Sequence, residues 1–254
     1  MVVAMAQIGR IIFYGKTYVP SGWFFKQRPG INRLYYIHGG SGGYTVDGEK
    51  YPFRKDTFYF LPHSADFGLF SDDNDPILHT YIDFELLPPY ATNKILSMKT
   101  EDDKFLNTAK DAFLLGAEYI ISHGRRLKSL KDAGELYDLS LGGIKYLCEQ
   151  INIKNGIEPI KDKMVLFSLE YMTKHLSEKI TVEDIAGLLY VTPNCLTRKF
   201  NKQIGITPYA YLKNLRIAVA ESMISNGKTL KEAAALTGYS DSVALHHAMK
   251  KRNT

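Results

Sequence analysis

The first third of the chain alternates short apolar runs with turn residues. Runs rich in Tyr, Phe, Ile, Val and Thr recur about every 8–12 residues without helical stretches between them, which is typical of an antiparallel sandwich or barrel. Asp47-Gly48 between two of these runs predicts a hairpin, because both central residues of its turn need positive φ. The predicted strands are 11–14, 23–26, 34–38, 44–46, 50–53, 57–61, 66–70 and 79–84.

A helical period replaces this pattern after Pro88-Pro89. Apolar residues recur at helical spacing over 104–123 and again over about 135–151, which predicts two amphipathic helices. Their apolar faces fit either the strands or a twin chain, and the sequence leaves both partners open. The polar stretch 152–156, which ends in Asn-Gly, is typical of a linker.

The last third contains one unit twice, at 181–200 and at 229–249. Each copy opens with a threonine followed three positions later by an acidic residue, as in a capping box. A short apolar helix, a tight turn and a second helix follow, so the pattern predicts two helix-turn-helix units. A helix predicted at about 208–225 joins them. The capping pairs are Thr181 with Asp184 and Thr229 with Glu232.

The second helix of each unit has an apolar and a polar side when its residues are placed at about 100° intervals. Leu196 and Phe200 share the apolar side of the first one. The polar side holds Asn, Thr and Arg, which can contact adenine, the thymine methyl group and guanine in a major groove. Two adjacent histidines in the second unit point about 100° apart, which argues against a metal site and favours phosphate or guanine contacts. The outward residues are Asn194, Thr197, Arg198 and Asn201 in the first unit, and Val243, His246 and His247 in the second.

Charge and aromatic residues divide the chain at a similar place. Residues 1–160 carry 18 Lys+Arg and 19 Asp+Glu, a net −1, whereas residues 161–254 carry 14 and 8, a net +6. Of the 31 Phe, Tyr and Trp residues, 19 lie within the first 90. Because basic charge attracts polyanions through counterion release, we expect the last part to bind nucleic acid and the aromatic-rich first part to have a different task.

Composition excludes several classes of protein. A hydrophobic fraction of 45% and a charged fraction of 23% are those of a chain that buries a core, and no apolar run approaches the ~18 residues of a membrane span. Cys148 and Cys195 form neither a metal knuckle nor a disulfide framework, and the first residues are unlike a signal peptide, so we expect a cytoplasmic location. No nucleophile, acid–base pair or nucleotide loop stands out, and we therefore expect no enzyme activity, no cofactor and no metal.

Residues 163–250 resemble the DNA-binding domain of the AraC/XylS family of bacterial transcription regulators. The resemblance implies two helix-turn-helix units whose recognition helices enter successive major grooves. Family members continue through a further helix where this sequence stops, so we expect the first unit to supply most of the sequence reading. By position, the family's base contacts fall on Asn194, Thr197, Arg198, Val243, Ala244 and His247. The matching segments are TVEDIA at 181–186, LTRKF at 196–200, GITPY at 205–209, YL at 211–212, RIA at 216–218 and GYSD at 238–241.

The first part resembles, more loosely and over about residues 10–90, the family's sensor domain, a cupin-like β-barrel that binds a small effector. The match includes Arg28-Pro29, Asp47-Gly48 and the segment HTYIDF at 79–84. In sugar-sensing members an Arg near the Arg-Pro turn, and a His and an aromatic residue on the late strand, reach the ligand. The resemblance therefore implies an effector site, for a sugar or related metabolite, at Arg28, His79 and Tyr81.

These patterns together predict a two-domain α+β protein. A cupin-like antiparallel β-barrel with following helices, for effector binding and dimerisation, would span 1–151, a linker 152–162, and an all-α double helix-turn-helix domain 163–254. We expect a sequence-specific transcriptional regulator that acts as a homodimer. Its expected partners are operator or promoter DNA, a small-molecule effector and RNA polymerase, with no membrane.

Two alternatives remain. The absent final helix of the family allows a shortened interaction protein that dimerises but no longer binds DNA. A metal-dependent cupin enzyme would draw on His38, His63 and His79, but such sites need about three His and a Glu converging on one ion, and no His-x-His pair is present.

Overall fold

The computed structural model describes residues 7–19, 32–62, 67–87, 90, 92, 94–100, 103–123, 134–225 and 227–252. The chain divides into two compact units, Met1–Pro159 and Ile160–Thr254. The strand predicted at 23–26 lies outside the described residues. No helix in the described part of the chain is both long enough and apolar enough to cross a membrane.

The first unit contains two antiparallel sheets, as expected. A five-stranded sheet has the order β1-β7-β2-β5-β8, and a three-stranded sheet has the order β4-β3-β6. Asp47 and Gly48, with φ of 51° and 84°, close the β3–β4 hairpin that the sequence predicts. Strand β8 was not predicted, because its residues, Leu-Ser-Met-Lys, include none of the β-branched or aromatic types that mark the other runs. The strands are β1 Gln7–Tyr18, β2 Asn32–Gly39, β3 Gly42–Val46, β4 Glu49–Pro52, β5 Thr57–Leu61, β6 Gly68–Ser71, β7 Leu78–Leu87 and β8 Leu96–Lys99.

The five-stranded sheet is buried on both faces. Alternate residues of its strands, such as Leu34 and Phe58, join one apolar cluster, while their neighbours Tyr35 and Tyr59 join another. The second cluster also includes Leu69 of β6, so it fills the space between the two sheets. Burial on both faces explains why β2 and β5 read as continuous apolar runs rather than as alternating ones.

Helices α1, Lys104–His123, and α2, Glu135–Lys154, cover the outer face of this sheet. Phe113 and Ile144 belong to the same cluster as Phe58, which answers the question that the sequence left open about where these helices pack. Helix α2 continues to Lys154, three residues beyond its predicted end, and Asn152 is fully buried. Asn152 donates from Nδ2 to the Cys148 carbonyl one turn earlier, so a residue typical of a linker lies inside the helix.

The described part of the second unit contains six helices, which include both predicted helix-turn-helix motifs. The capping boxes of Thr181 and Thr229 are both present. Thr192 caps α5 with Pro193 in its first turn, and α5 ends at Gly205, whose φ is 85°. The helices are α3 Lys163–Lys174, α4 Val182–Leu188, α5 Pro193–Ile204, α6 Pro208–Ser225, α7 Leu230–Leu236 and α8 Ser242–Arg252.

Candidate DNA-binding surface and effector site

Helix α5 presents the predicted polar face away from the core. Leu196 and Phe200 are both 0% exposed, and the Phe200 ring meets Tyr211 of α6 edge-on with 5.7 Å between ring centroids. The opposite side is turned outward because these two side chains anchor the helix from below. Asn194, Arg198 and Asn201 are exposed, and Thr197 is half-buried. The exposed polar side chains therefore form a continuous stripe along the helix.

An ion pair fixes α5 against α3. Lys199 Nζ lies 2.9 Å from Asp162 Oδ2, and the Asp162 carboxylate also accepts hydrogen bonds from the amides of Met164 and Val165 at the start of α3. Burial would raise the pKa of Asp162, but the Lys199 hydrogen bond and these amides outweigh it and lower that pKa. The carboxylate therefore stays charged and ties the recognition helix to its neighbour.

Helix α8 also turns one side outward, but with fewer side chains that can read base edges. Leu245 is fully buried beside Ala233 and Ala234 of α7. His246 and His247 are exposed and Val243 is 62% exposed, as predicted, whereas Ala244 is half-buried at the flank of the helix. Histidine and valine offer fewer base-reading hydrogen bonds than the Asn and Arg of α5.

Two lysines extend these faces and were not predicted. Lys202 follows Arg198 by four positions on α5, and Lys250 follows His246 by four positions on α8; both are exposed. A four-residue interval places each lysine on the same helical face, next to the predicted residue. That spacing was readable in the sequence and marks both lysines as candidates for phosphate contact.

Arg216 of α6 holds the first motif in place. Its Nε donates to the Leu176 carbonyl at 3.0 Å, and an Nη donates to the Glu178 carbonyl. Both carbonyls belong to the connection between α3 and α4. Helix α6 is thus fastened to the first motif while it packs on the second.

The interior of the first unit brings together two of the three predicted effector residues. The rings of His79 and Tyr81 stack with centroids 5.1 Å apart, and Tyr35 lies 4.8 Å from His79. His79 is 3% exposed and its Nδ1 has no hydrogen-bond partner among the described residues. It lines a cavity of about 10 Å³, close to the smallest that holds one water molecule. Arg28 lies outside the described residues.

Electrostatics keeps this interior neutral. Burial, together with the nearby His38 and Arg33, lowers the pKa of His79 to about 4, so the imidazole is uncharged at neutral pH. Arg33 Nε and Nη2 donate to the two oxygens of Asp83 at 2.7 and 3.0 Å. Burial opposes the charge of Arg33, but Asp83 outweighs it and raises the pKa of Arg33. This pair could not be predicted from the sequence, because Arg33 and Asp83 meet only through the β2–β7 register.

Histidines do not converge on a metal site in the described part of the chain. His38 shares a hydrogen bond with Thr80 Oγ1 at 2.8 Å, and His63 lies outside the described residues. No group of three His, Cys, Asp or Glu residues in the described ranges could hold an ion. Both cysteines are free.

Comparisons with known proteins agree with this geometry. A family model described as a helix-turn-helix domain matches residues 185–253. An uncharacterized HTH-type transcriptional regulator of Bacillus subtilis (strain 168), YbfI, is 36% identical over 72 residues, which are 28% of this chain and 26% of YbfI. The probable transcriptional regulator LumQ of Photobacterium leiognathi is 29% identical over 89 residues, 35% of this chain and 36% of LumQ. The chain thus spans only about a quarter to just over a third of the length of these curated relatives.

The whole fold is similar to that of ToxT from Vibrio cholerae. The crystal structure from strain O395 matches with a TM-score of 0.62 and 13% identity over 97% of this chain and 93% of ToxT. A structure of ToxT from strain SCE256 with bound unsaturated fatty acid matches with a TM-score of 0.60 and 12% identity over 96% and 92%. At such low identity these likenesses establish the fold alone.

The second unit therefore contains a helix-turn-helix domain of the AraC type, and the chain has the two-domain fold of ToxT. The resemblance of the last part of the chain to an AraC/XylS DNA-binding domain is confirmed.

Proposed function

We propose that this chain is a sequence-specific DNA-binding transcriptional regulator that responds to a small-molecule effector. The observation that carries the proposal is the exposed polar stripe of α5 above the buried Leu196 and Phe200. Asn, Thr and Arg in that stripe suit direct readout of base edges, and the net charge of +6 over residues 161–254 favours binding to phosphate. The helix-turn-helix match and the relatives described as transcriptional regulators support the same activity.

For the effector, we place the site between the two sheets, at His79 and Tyr81. A neutral imidazole can accept a hydrogen bond at Nδ1 and the neighbouring rings can stack on a ligand. Because Asp83 already compensates Arg33, the described interior favours an uncharged, hydroxyl-bearing effector such as a sugar over an anion. The bound fatty acid of ToxT supports small-molecule binding by this fold. A cavity of about 10 Å³ requires side chains to move before any effector enters.

The remaining partners follow from the same proposal. We assign homodimer contact to the outer face of α2, where Leu139 and Ile153 are 53% and 67% exposed, with Tyr146 midway between them at seven-residue spacing. A regulator of this kind binds RNA polymerase at its promoter and works in the cytoplasm, where bacterial DNA lies. It acts by binding rather than as an enzyme. The competing proposal, an interaction protein that dimerises without binding DNA, predicts no affinity for duplex DNA.

A gel shift with DNA from upstream of the chain's own and neighbouring genes tests the proposal. We expect binding with a steep salt dependence, and a loss of about 1–3 kcal/mol with relaxed base preference for Arg198→Ala. His247→Ala should cost less, because the first motif is expected to supply most of the reading. Lys174→Ala, which removes the same charge from the exposed side of α3, is the control.

No binding to any of these fragments at low salt, with or without metabolites, would favour the interaction protein instead. Intact binding by Arg198→Ala together with lost binding by His247→Ala would reverse the assigned order of the two motifs.

A further inference from the structure

The two helix-turn-helix motifs can be aligned through their buried leucines. The amide of Leu196 donates to the carbonyl of Thr192, and that of Leu245 donates to the carbonyl of Asp241, so each leucine follows its helix cap by four positions. Both leucines are 0% exposed. With this alignment Lys199 of α5 corresponds to Ala248 of α8.

A pocket of the second motif lies next to this alanine. In the first motif Lys199 crosses from α5 to Asp162, the cap of α3. In the second motif Ala248 stands in the position of this lysine. Thr207 stands in the position of Asp162, because its hydroxyl accepts a hydrogen bond from the Ala210 amide and so caps the start of α6, as Asp162 caps α3. A pocket of about 320 Å³ lies beside Ala248, between α8 and α6. Its size falls within the range of small-molecule sites.

The polar lining of this pocket is basic. Lys213, Arg216 and His247 border it, and none of its described lining residues is acidic. The Arg216 guanidinium is held by two backbone carbonyls, which fix its position without neutralising its charge. Burial lowers the pKa of Arg216, which indicates that its charge is incompletely solvated and would gain from a nearby anion.

The remaining walls are aromatic and aliphatic. Tyr209, which is 69% exposed, and Tyr239 border the pocket, and Ile180 and Leu212 complete it. Tyrosine rings offer flat apolar surfaces with a polar tip, so they suit a planar ligand that carries a polar group.

We propose that this pocket binds a small planar organic anion of the aromatic carboxylate type, at a site separate from the effector site between the sheets. The carboxylate lies toward Lys213 and Arg216, and the ring lies against the tyrosines. His247 borders both the pocket and the predicted DNA-facing side of α8. If the chain binds DNA as proposed above, a bound anion therefore adds negative charge beside the DNA phosphates and weakens DNA binding.

Titration of the full chain with benzoate, by calorimetry at constant ionic strength, tests the site. We expect saturable binding, about tenfold weaker binding of the neutral isostere benzamide, and a similar loss in Lys213→Gln, since each replaces one charge-assisted hydrogen bond by a neutral one; tenfold corresponds to about 1.4 kcal/mol. Ala248→Leu adds three carbon atoms to the wall of the pocket and should weaken binding strongly. Ala248→Ser leaves the space open and should bind as the parent does, which separates pocket filling from a disturbed helix.

The proposal would be overturned if benzoate bound no more tightly than benzamide. It would also be overturned if Lys213→Gln and Ala248→Leu bound benzoate as tightly as the parent does. In a parallel gel shift, saturating benzoate should weaken DNA binding several-fold in the parent and leave Ala248→Leu unaffected. An unchanged DNA affinity with benzoate bound would refute the coupling. A chain that binds benzoate but no DNA would refute the proposed function while supporting the site.

Discussion

Replacing Tyr190 by glycine should stabilise the first helix-turn-helix motif. Tyr190 occupies the turn between α4 and α5 with φ of 54°, in the left-handed region that favours glycine. The corresponding position of the second motif is Gly238, with φ of 76°. The equivalence holds because Val191 and Tyr239, the next residues, donate their amides to the carbonyls of Ala186 and Ala234. The same turn is thus built with tyrosine in one motif and with glycine in the other.

The size of this stabilisation follows from the backbone conformation of Tyr190 and from the exposure of its side chain. A non-glycine residue in the left-handed region costs about 1–2 kcal/mol. The Tyr190 side chain is 97% exposed, so removing it forfeits almost no burial. Glycine adds about 0.4–1 kcal/mol of conformational freedom to the unfolded chain, which offsets part of the gain. Tyr190→Gly should therefore stabilise the motif by about 0.5–1 kcal/mol.

Hydrogen exchange of α4 and α5 amides in the full chain measures this gain, which corresponds to about two- to fivefold slower exchange. Tyr190→Ala removes the ring and retains the strain, so its exchange should match that of the parent. Gly238→Ala is the converse test: its added Cβ would lie 2.8 Å from the Leu176 carbonyl oxygen, and it should destabilise the second motif by about 1–2 kcal/mol. Exchange in Tyr190→Gly as fast as in the parent, or faster, would refute the reasoning.

Three further predictions concern the cores. Asp83→Asn removes the charge that compensates the mostly buried Arg33, and should lower the free energy of unfolding of the first unit by about 3 kcal/mol in urea. The exposed Asp73→Asn should change it by close to zero, and equal losses in the two variants would contradict a stabilising role for the ion pair. Because the pKa of His79 is lowered to about 4 in the folded chain, its neutral form stabilises the fold above about pH 6.5. That stabilisation is lost as the pH falls toward 4, and the free energy of unfolding should drop by about 2 kcal/mol between pH 7 and 5. His79→Phe should make the free energy of unfolding depend less on pH in this range, and an unchanged dependence would show that His79 is not its cause. Phe200→Ala should cost about 3–5 kcal/mol in thermal unfolding followed by circular dichroism and remove DNA binding; retained stability would contradict the anchor role of this ring.

The exposed tyrosine in a strained turn also bears on how the two motifs differ. A strained residue that packs against nothing gives the turn no compensating stability, whereas Gly238 lies close to Leu176 and Arg216. The second motif therefore needs glycine for space as well as for conformation. In the first motif glycine at position 190 is favoured only by the backbone conformation, because the Tyr190 side chain has free space around it.

Local patterns in the sequence determined most of the second unit. Capping boxes, the proline after Thr192 and the apolar period of α5 depend on residues within one or two helical turns of each other, so they could be read without a structure. The outward stripe of Asn194, Thr197 and Arg198 follows from the same local geometry. Asp47-Gly48 likewise fixed a hairpin by itself.

Only the tertiary structure decided which groups meet across the chain. Arg33 and Asp83 pair because β2 and β7 are neighbours in a particular register, and Lys199 reaches Asp162 because α5 packs on α3. The pocket beside Ala248 likewise exists only through the approach of α6 to α8. Such contacts depend on strand order and helix packing, which residues distant in sequence establish together, and no local period records them.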